Sequence, residues 1–371
     1  MAQKYGDVMH LKVLAQDIIV VSSIEAASDL LDKRATIYSD RYHSTMVNEL
    51  IDMGWSFGLL NYGQTWRRAR KLFHYHYNTA FIRQFDRLLF DVTLQFLQRL
   101  RTSEKFLDHS HFIFAALIMS MTYGIEIQDE RNEHVVAATT WTAAFNEAVQ
   151  PVKHVPEWFP GAGFKRFASE TKRHMYNAVD RPFELVKANL SSGYVTPSIA
   201  ASALENIDET HDQRDQEHLV RHSLGAAFGA AVDTSSPTLQ LFFYLMMTHP
   251  GIQKKAQGVL DKVIGDKRLP TIADRSNLPY IEAILKEVLR WMPVTPLALP
   301  HYTASSDEYR GFYIPKGSIV FGCRHILHDP VVYPDPLRFL PERWLNDDGA
   351  LDTDIPDPTI ACFGFGRRKV P

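Results

Sequence analysis

The last nine residues, Phe363-Gly364-Phe365-Gly366-Arg367-Arg368-Lys369-Val370-Pro371, constrain the fold more than any other stretch. Glycines two apart allow a tight turn and a close backbone approach that a Cβ would block. The arginines that follow bring planar, permanently charged forks suited to carboxylates. Such a loop is expected to pass close to something flat and anionic, and a large body must hold it there. With 371 residues, 45% hydrophobic and 22% charged, the chain is long enough for one large domain or two ordinary ones with a sizeable core.

Several function classes fall away at once. A formal net charge of −3 and a pI near 6.6 argue against bulk attraction to nucleic acid or to an anionic membrane. Two cysteines, Cys323 and Cys362, exclude a disulfide scaffold and fit a reducing compartment. The best apolar run, Phe112 to Met121, is about half of the roughly 20 residues a membrane span needs, so it reads as a core helix. Met1 to Gly6 is polar and no apolar h-region follows, so no signal peptide is read. As written, the chain is expected to be soluble or at most peripheral.

Taken in order, Met9, Leu11 and Val13 alternate with polar residues, and Ile18 to Val21 is β-branched. A hairpin around Ala15-Gln16-Asp17 follows, then a helix capped by Ser22 or Ser23 through about Lys33. Residues 42–63 keep no period and read as a long loop or broken helix. Gly63 to Lys71 opens a helix with a basic cluster. It is either a solvated face or, since Trp66 and Arg70 lie four apart on one side, a pair that reaches one carboxylate. Residues 80–147 are helical by period, with Phe81, Phe85, Leu88, Leu89 and Val92 as a core stripe. Pro151, Pro156, Pro160, Gly161 and Gly163 frame Trp158, Phe159, Phe164 and Phe167 in what reads as a mobile apolar segment. Residues 191–217 read as polar loop.

Leu219 to about His249 is the longest helical pattern. Its centre, Gly229 to Pro237, combines small residues, Asp233, Thr234, Ser235, Ser236 and a proline, which disfavour a continuous helix. The hydroxyls either bond back to carbonyls in a kinked core helix, or the distortion opens a groove for a small ligand beside an acid and an alcohol. Tyr280 to Trp291 is amphipathic and carries Glu287 and Arg290, three apart, by themselves an ordinary surface pair. Pro293, Pro296 and Pro300 break helix, leaving Leu297 to Leu299 to line a pocket. Phe312 to Gly317 signals strand and turn before a strand at 318–321. His325, His328 and Asp329 are assigned no metal.

In their order and separations these features resemble the cytochrome P450 family, most like a fungal microsomal member, over nearly the whole chain. Phe363, Gly366 and Arg368 fall on the haem-binding signature Phe-x-x-Gly-x-Arg-x-Cys-x-Gly. Trp66 and Arg70 match a Trp-x-x-x-Arg that holds a haem propionate, and His301 a Pro-His position with the same role. Asp233, Thr234 and Ser235 match the oxygen-activation motif, with Ala231 where a glycine is expected. Glu287, Arg290 and Arg343 of Pro341-Glu342-Arg343-Trp344 match a structural charge network.

The resemblance implies a mainly α fold with small β-sheets, in one P450 domain over 1–371. Residues 1–40 with 295–325 would form the β-rich part and 63–292 the helical part. It implies haem b (iron protoporphyrin IX), electrons from NADPH through a cytochrome P450 reductase, and insertion of one oxygen atom of dioxygen into an apolar small molecule. Asp233 and Thr234 would relay protons. Trp66, Arg70, His301 and Arg368 would neutralise the propionates. Substrate contacts would come from 42–62, 151–167, Ala230, Ala231 and Leu297 to Leu299. The full-length relative would sit at the endoplasmic reticulum membrane through an amino-terminal anchor.

Two departures stand out. The iron-ligating cysteine position is Val370, which has no donor atom, so no metal ligand is assigned; Cys362 lies eight residues early and Cys323 in another region. The anchor and the helix after the cysteine are not in the sequence. The expectation is a chain truncated at both ends by an incomplete gene reading and inactive as written. The alternative is a non-catalytic relic that binds haem poorly or binds only apolar ligands.

Overall fold

The computed structural model describes residues 2–129, 131–146, 162–207 and 212–369. It divides into two compact units, His43–Ser236 and Met1–Tyr42 with Pro237–Pro371.

The unit His43–Ser236 is helical. It contains α1 (Gln64–His76), α2 (Asp86–Thr102), α3 (Phe106–Tyr123), α4 (Glu133–Asn146), α5 (Gly163–Ser191), α6 (Ile199–Glu205) and the first part of α7 (Gln213–Thr248). The apolar run of α3 is the expected core helix, with Phe112, Ala115, Ala116 and Met119 buried against Met175, Val179 and Phe183 of α5 and Leu224, Phe228 and Val232 of α7. A Cβ at Gly225 would stand 2.7 Å from a Val179 methyl carbon, so α7 runs close to α5 there. Of the predicted stripe on 81–92, Val92 is buried, while Phe81, Phe85 and Leu88 pack half-buried against the core around α3.

Three expectations are corrected. Residues 191–217 are not all loop: Ser198 caps α6, whose Ile199, Ala200, Ala201 and Ala203 are buried. Among the described residues, the polar Ser198 is a helix cap and Gln213 opens α7. The Gly229–Pro237 stretch does not interrupt α7, which is continuous through Pro237. Thr234 Oγ1 donates to the Ala230 carbonyl at 2.9 Å, the back-bonding alternative, and burial of Phe228 and Val232 outweighs weak local propensity. Of the apolar segment 151–167, residues 151–161 lie outside the described residues. Gly163, Phe164 and Phe167 belong to the first turns of α5, with both phenylalanines packed on the core.

The unit containing both chain ends is built on a five-stranded sheet of β1 (Val8–Val13), β2 (Gln16–Val21), β3 (Asp40–Arg41), β4 (His301–Tyr302) and β7 (Ile319–Gly322), in the order β1-β2-β7-β4-β3. A separate hairpin pairs β5 (Asp307–Tyr309) with β6 (Phe312–Ile314). β1 and β2 are the predicted hairpin, with its turn at Leu14-Ala15. β2 runs parallel to β7, and β4 lies antiparallel to both β7 and β3. Ile19, Val21 and Val320 face a core shared with Leu30, Leu31, Tyr38, Ile326 and Phe365. The end of α7 packs in this unit with α8 (Pro250–Val263) and α9 (Pro279–Trp291) through Leu245, Met246, Ile284 and Val288. Both α8 and α9 begin on proline, whose missing N–H is no loss at a helix start. Among the described residues no helix is long and apolar enough to cross a membrane.

Candidate functional site

Strand register decides which cations meet. Arg41 on β3 sits directly opposite His301 on β4. Arg368, on the turn Gly366–Arg368, donates through Nε to the Ser39 carbonyl at 2.8 Å, and through Nη2 to the same oxygen. Arg41 Nη1 donates to the carbonyls of Leu299 at 2.6 Å and Pro300 at 2.8 Å. The His301 ring Nδ1–H donates to the Tyr38 carbonyl at 2.7 Å, which leaves Nε2 as a lone-pair acceptor in the neutral ring. All three side chains are buried.

Burial and mutual repulsion mark this cluster electrostatically. His301 is pushed down to about 3, by burial first and then by the charges of Arg41 and Arg368, against the opposing effect of the Tyr38 bond. Arg41 is pushed down to about 9 by burial and by the Arg368 charge. Two guanidiniums and an imidazole massed out of water form a donor set for anions. An arriving carboxylate would relieve the repulsion and let His301 hold a second proton on Nε2.

The loop that carries Arg368 is fixed by Gly366, at φ 53°. A Cβ there would stand 2.2 Å from the Leu31 carbonyl oxygen, and the Gly366 N–H donates to the Asp32 carboxylate. The close approach expected toward a flat ligand is therefore, at Gly366, an approach to the backbone of the Ser28–Lys33 turns. Phe363 is 41% exposed, whereas Phe365 is buried in the sheet-side core. Val370 lies outside the described residues. Cys362 is held as a neutral thiol: burial pushes it up to about 12, and its Sγ–H donates to the Leu289 carbonyl at 3.2 Å.

In the same unit the Glu287 network closes completely. Arg290 donates to both Glu287 oxygens at 2.8 Å, and Arg343 Nε reaches the same two oxygens at 3.2 and 3.1 Å. The Leu340 N–H and Trp344 Nε1–H add contacts at 2.9 and 3.0 Å. The remaining arms of the arginines meet carbonyls of Leu327, Pro336 and Pro334. Glu287 and Arg290 are fully buried, so the sequence's ordinary surface pair is here an interior scaffold. Leu297 and Leu299 flank Ala298, which adopts φ 53°, and are 52% and 40% exposed.

In the unit His43–Ser236, Trp66 and Arg70 share one face of α1; Trp66 is buried and Arg70 half-buried, with burial lowering its pKa. On α7, Asp233 is half-buried, Thr234 and Ala230 are exposed, and Ala231 is half-buried. Asp233 Oδ1 stands 3.7 Å from His111 Nε2 of α3. Sequence reasoning missed both Arg41 and His111. Arg41 carries no motif and is found only by strand register; His111 stands just before the apolar run of α3, two residues after His109, where no pattern marks it.

The sequence is similar to known proteins over nearly its whole length. The sequence model described as Cytochrome P450 matches residues 1–369. Cytochrome P450 monooxygenase COX2 of Coprinopsis cinerea is 39% identical over 384 residues, spanning 100% of this chain and 73% of the relative. Cytochrome P450 monooxygenase 98 of Postia placenta is 40% identical, with 100% and 74% covered. Tryptamine 4-monooxygenase of Psilocybe cyanescens is 34% identical, with 99% and 75% covered. With that match over residues 1–369 and a mostly helical body with small sheets, the chain belongs to the cytochrome P450 family.

Proposed function

We propose that the protein is a haem b monooxygenase that inserts one oxygen atom of dioxygen into an apolar organic substrate, with electrons from NADPH delivered by a reductase. The observation that carries this reading is the buried Arg41–His301–Arg368 cluster, whose chemistry suits the paired carboxylates of a porphyrin edge. When bound through a cysteine thiolate, haem supplies activation of dioxygen, with the thiolate favouring O–O cleavage.

The chain's own residues do the rest. Arg41 and Arg368 hold the acidic edge, and His301 takes up a proton as a carboxylate arrives. Trp66 and Arg70, together on one face of α1, are suited to hold one carboxylate. Asp233 and Thr234 move protons, and the Thr234 hydroxyl donates to the Ala230 carbonyl. Ala230, Ala231, Leu297, Leu299 and the 42–62 segment contact the substrate. Glu287, Arg290 and Arg343 brace the loop region without touching reactants. Since Val370 offers no donor atom and Cys362 is a neutral buried thiol, we propose that the polypeptide as sequenced does not give a thiolate-ligated, turning-over enzyme.

Haem titration tests the reading. Arg41→Gln and Arg368→Gln are each expected to weaken haem binding about tenfold, the equivalent of roughly 1.4 kcal/mol. Unchanged affinity in both, with folding verified by circular dichroism, would remove the cluster's role. The reduced carbon-monoxide spectrum tests the ligand: no thiolate-type Soret band is expected for the natural chain, and one is expected for Val370→Cys. A thiolate band in the natural chain would refute the reading of Val370.

A further inference from the structure

α3 and α7 touch through two polar pairs in succession. Ser110 Oγ and Ser236 Oγ lie 3.3 Å apart in a buried contact, and His111 Nε2 stands 3.7 Å from Asp233 Oδ1. The second pair is neither sealed nor solvated: the two side chains are 26% and 29% exposed. Asp233 therefore points at α3, while its neighbour Thr234 bonds back along α7. A carboxylate facing an imidazole at this separation gains a charge-assisted contact when the ring is protonated, and loses it when the ring is neutral.

We propose that His111 is a positioning residue for Asp233, a clasp from a second helix that holds the carboxylate on the α3 side. The role rests on the reading of Asp233 as the acid of the proton path. It adds to that path a side chain on another helix that fixes where the acid points. Among the described residues, several charged groups on the elements packed against α3 are engaged elsewhere or exposed. Arg99 of α2 stacks over the Phe112 ring and donates to the Gln128 carbonyl. Arg87 and Asp91 of α2 pair with each other, and Arg101 is exposed. Glu133 of α4 pairs with Arg181, and Asp180 and Glu184 of α5 face Arg221. Glu205 of α6 is exposed, as is Asp108 on α3 itself. Among the described residues, Asp233 is the charged partner of His111.

A double-mutant cycle of thermal unfolding tests the clasp with the natural chain, His111→Gln, Asp233→Asn and the double variant, at pH 6 and pH 8. A free imidazole is charged at the first pH and neutral at the second. The expected result is non-additivity of about 1–2 °C at pH 6 that vanishes at pH 8. His111→Lys, cationic at both values, is expected to keep the coupling at pH 8. Additivity at pH 6, equal coupling at both pH values, or no coupling in His111→Lys would each overturn the proposal. The haem reading fails on different measurements, the titration and spectra above, so the two failures are separable.

Discussion

Two buried clusters in the same unit handle charge in opposite ways. Around Glu287 one carboxylate takes up two arginines, an indole N–H and a backbone N–H. Around His301, two arginines and a histidine lean on backbone carbonyls and repel one another, and burial drives both His301 and Arg41 toward their neutral forms. The first arrangement is complete and has no use for a ligand. The second holds like charges close together and out of water. Buried arginines are not by themselves a sign of function; the two clusters differ in that a central carboxylate organises the first, while the second brings like charges together.

Breaking the closed cluster should cost most. Glu287→Ala strands Arg290 and Arg343 in the interior and is expected to destabilise by about 3–5 kcal/mol or abolish soluble expression. Urea unfolding and yield would measure it, and a loss under 1 kcal/mol would show that the network is incidental.

Next comes Gly366, which anchors the open cluster. Gly366→Ala drives a Cβ into the Leu31 carbonyl at positive φ and is expected to cost about 2 kcal/mol. Haem affinity should fall with it, because Arg368 is displaced; stability lost with affinity unchanged would separate the loop from the site.

The open cluster should also announce itself through pH. His301 is depressed from 6.5 to about 3, so below 6.5 the unfolded chain binds a proton that the folded chain refuses. Its contribution to stability is therefore full above 6.5 and declines as pH falls toward 3, at up to about 1.4 kcal/mol per pH unit. His301→Gln should flatten that part of the profile between pH 6.5 and 5, and a profile as steep as the parent's would contradict the assigned neutrality. Haem bound at the cluster should flatten it too.

The smallest effect is expected at Cys362. Cys362→Ala removes one weak bond to Leu289 and some packing, about 1 kcal/mol, and should leave haem binding unaltered. A changed haem spectrum would make Cys362 a ligand and undo the comparison.

Much of this was legible beforehand for identifiable reasons. The hairpin at 8–21, the core helix at 112–121 and the amphipathic α9 each carry their period in the residues themselves. The Glu287 trio was legible because its members lie in short recognisable strings. The continuity of α7 was not, since packing of Phe228 and Val232 overrides what small residues and hydroxyls prefer locally. Nor was α6, whose apolar face is only a few small side chains.

The sequence by itself determined the family, the helical body with small sheets, and which arginines and carboxylates belong together, because those depend on residue type at fixed spacing. Tertiary structure alone decided that Arg41 stands against His301, that Phe365 rather than Phe363 is buried, and that His111 faces Asp233. Each of those is a meeting of segments remote in the chain, set by strand register and helix packing, and a linear reading of local preferences has no term for either.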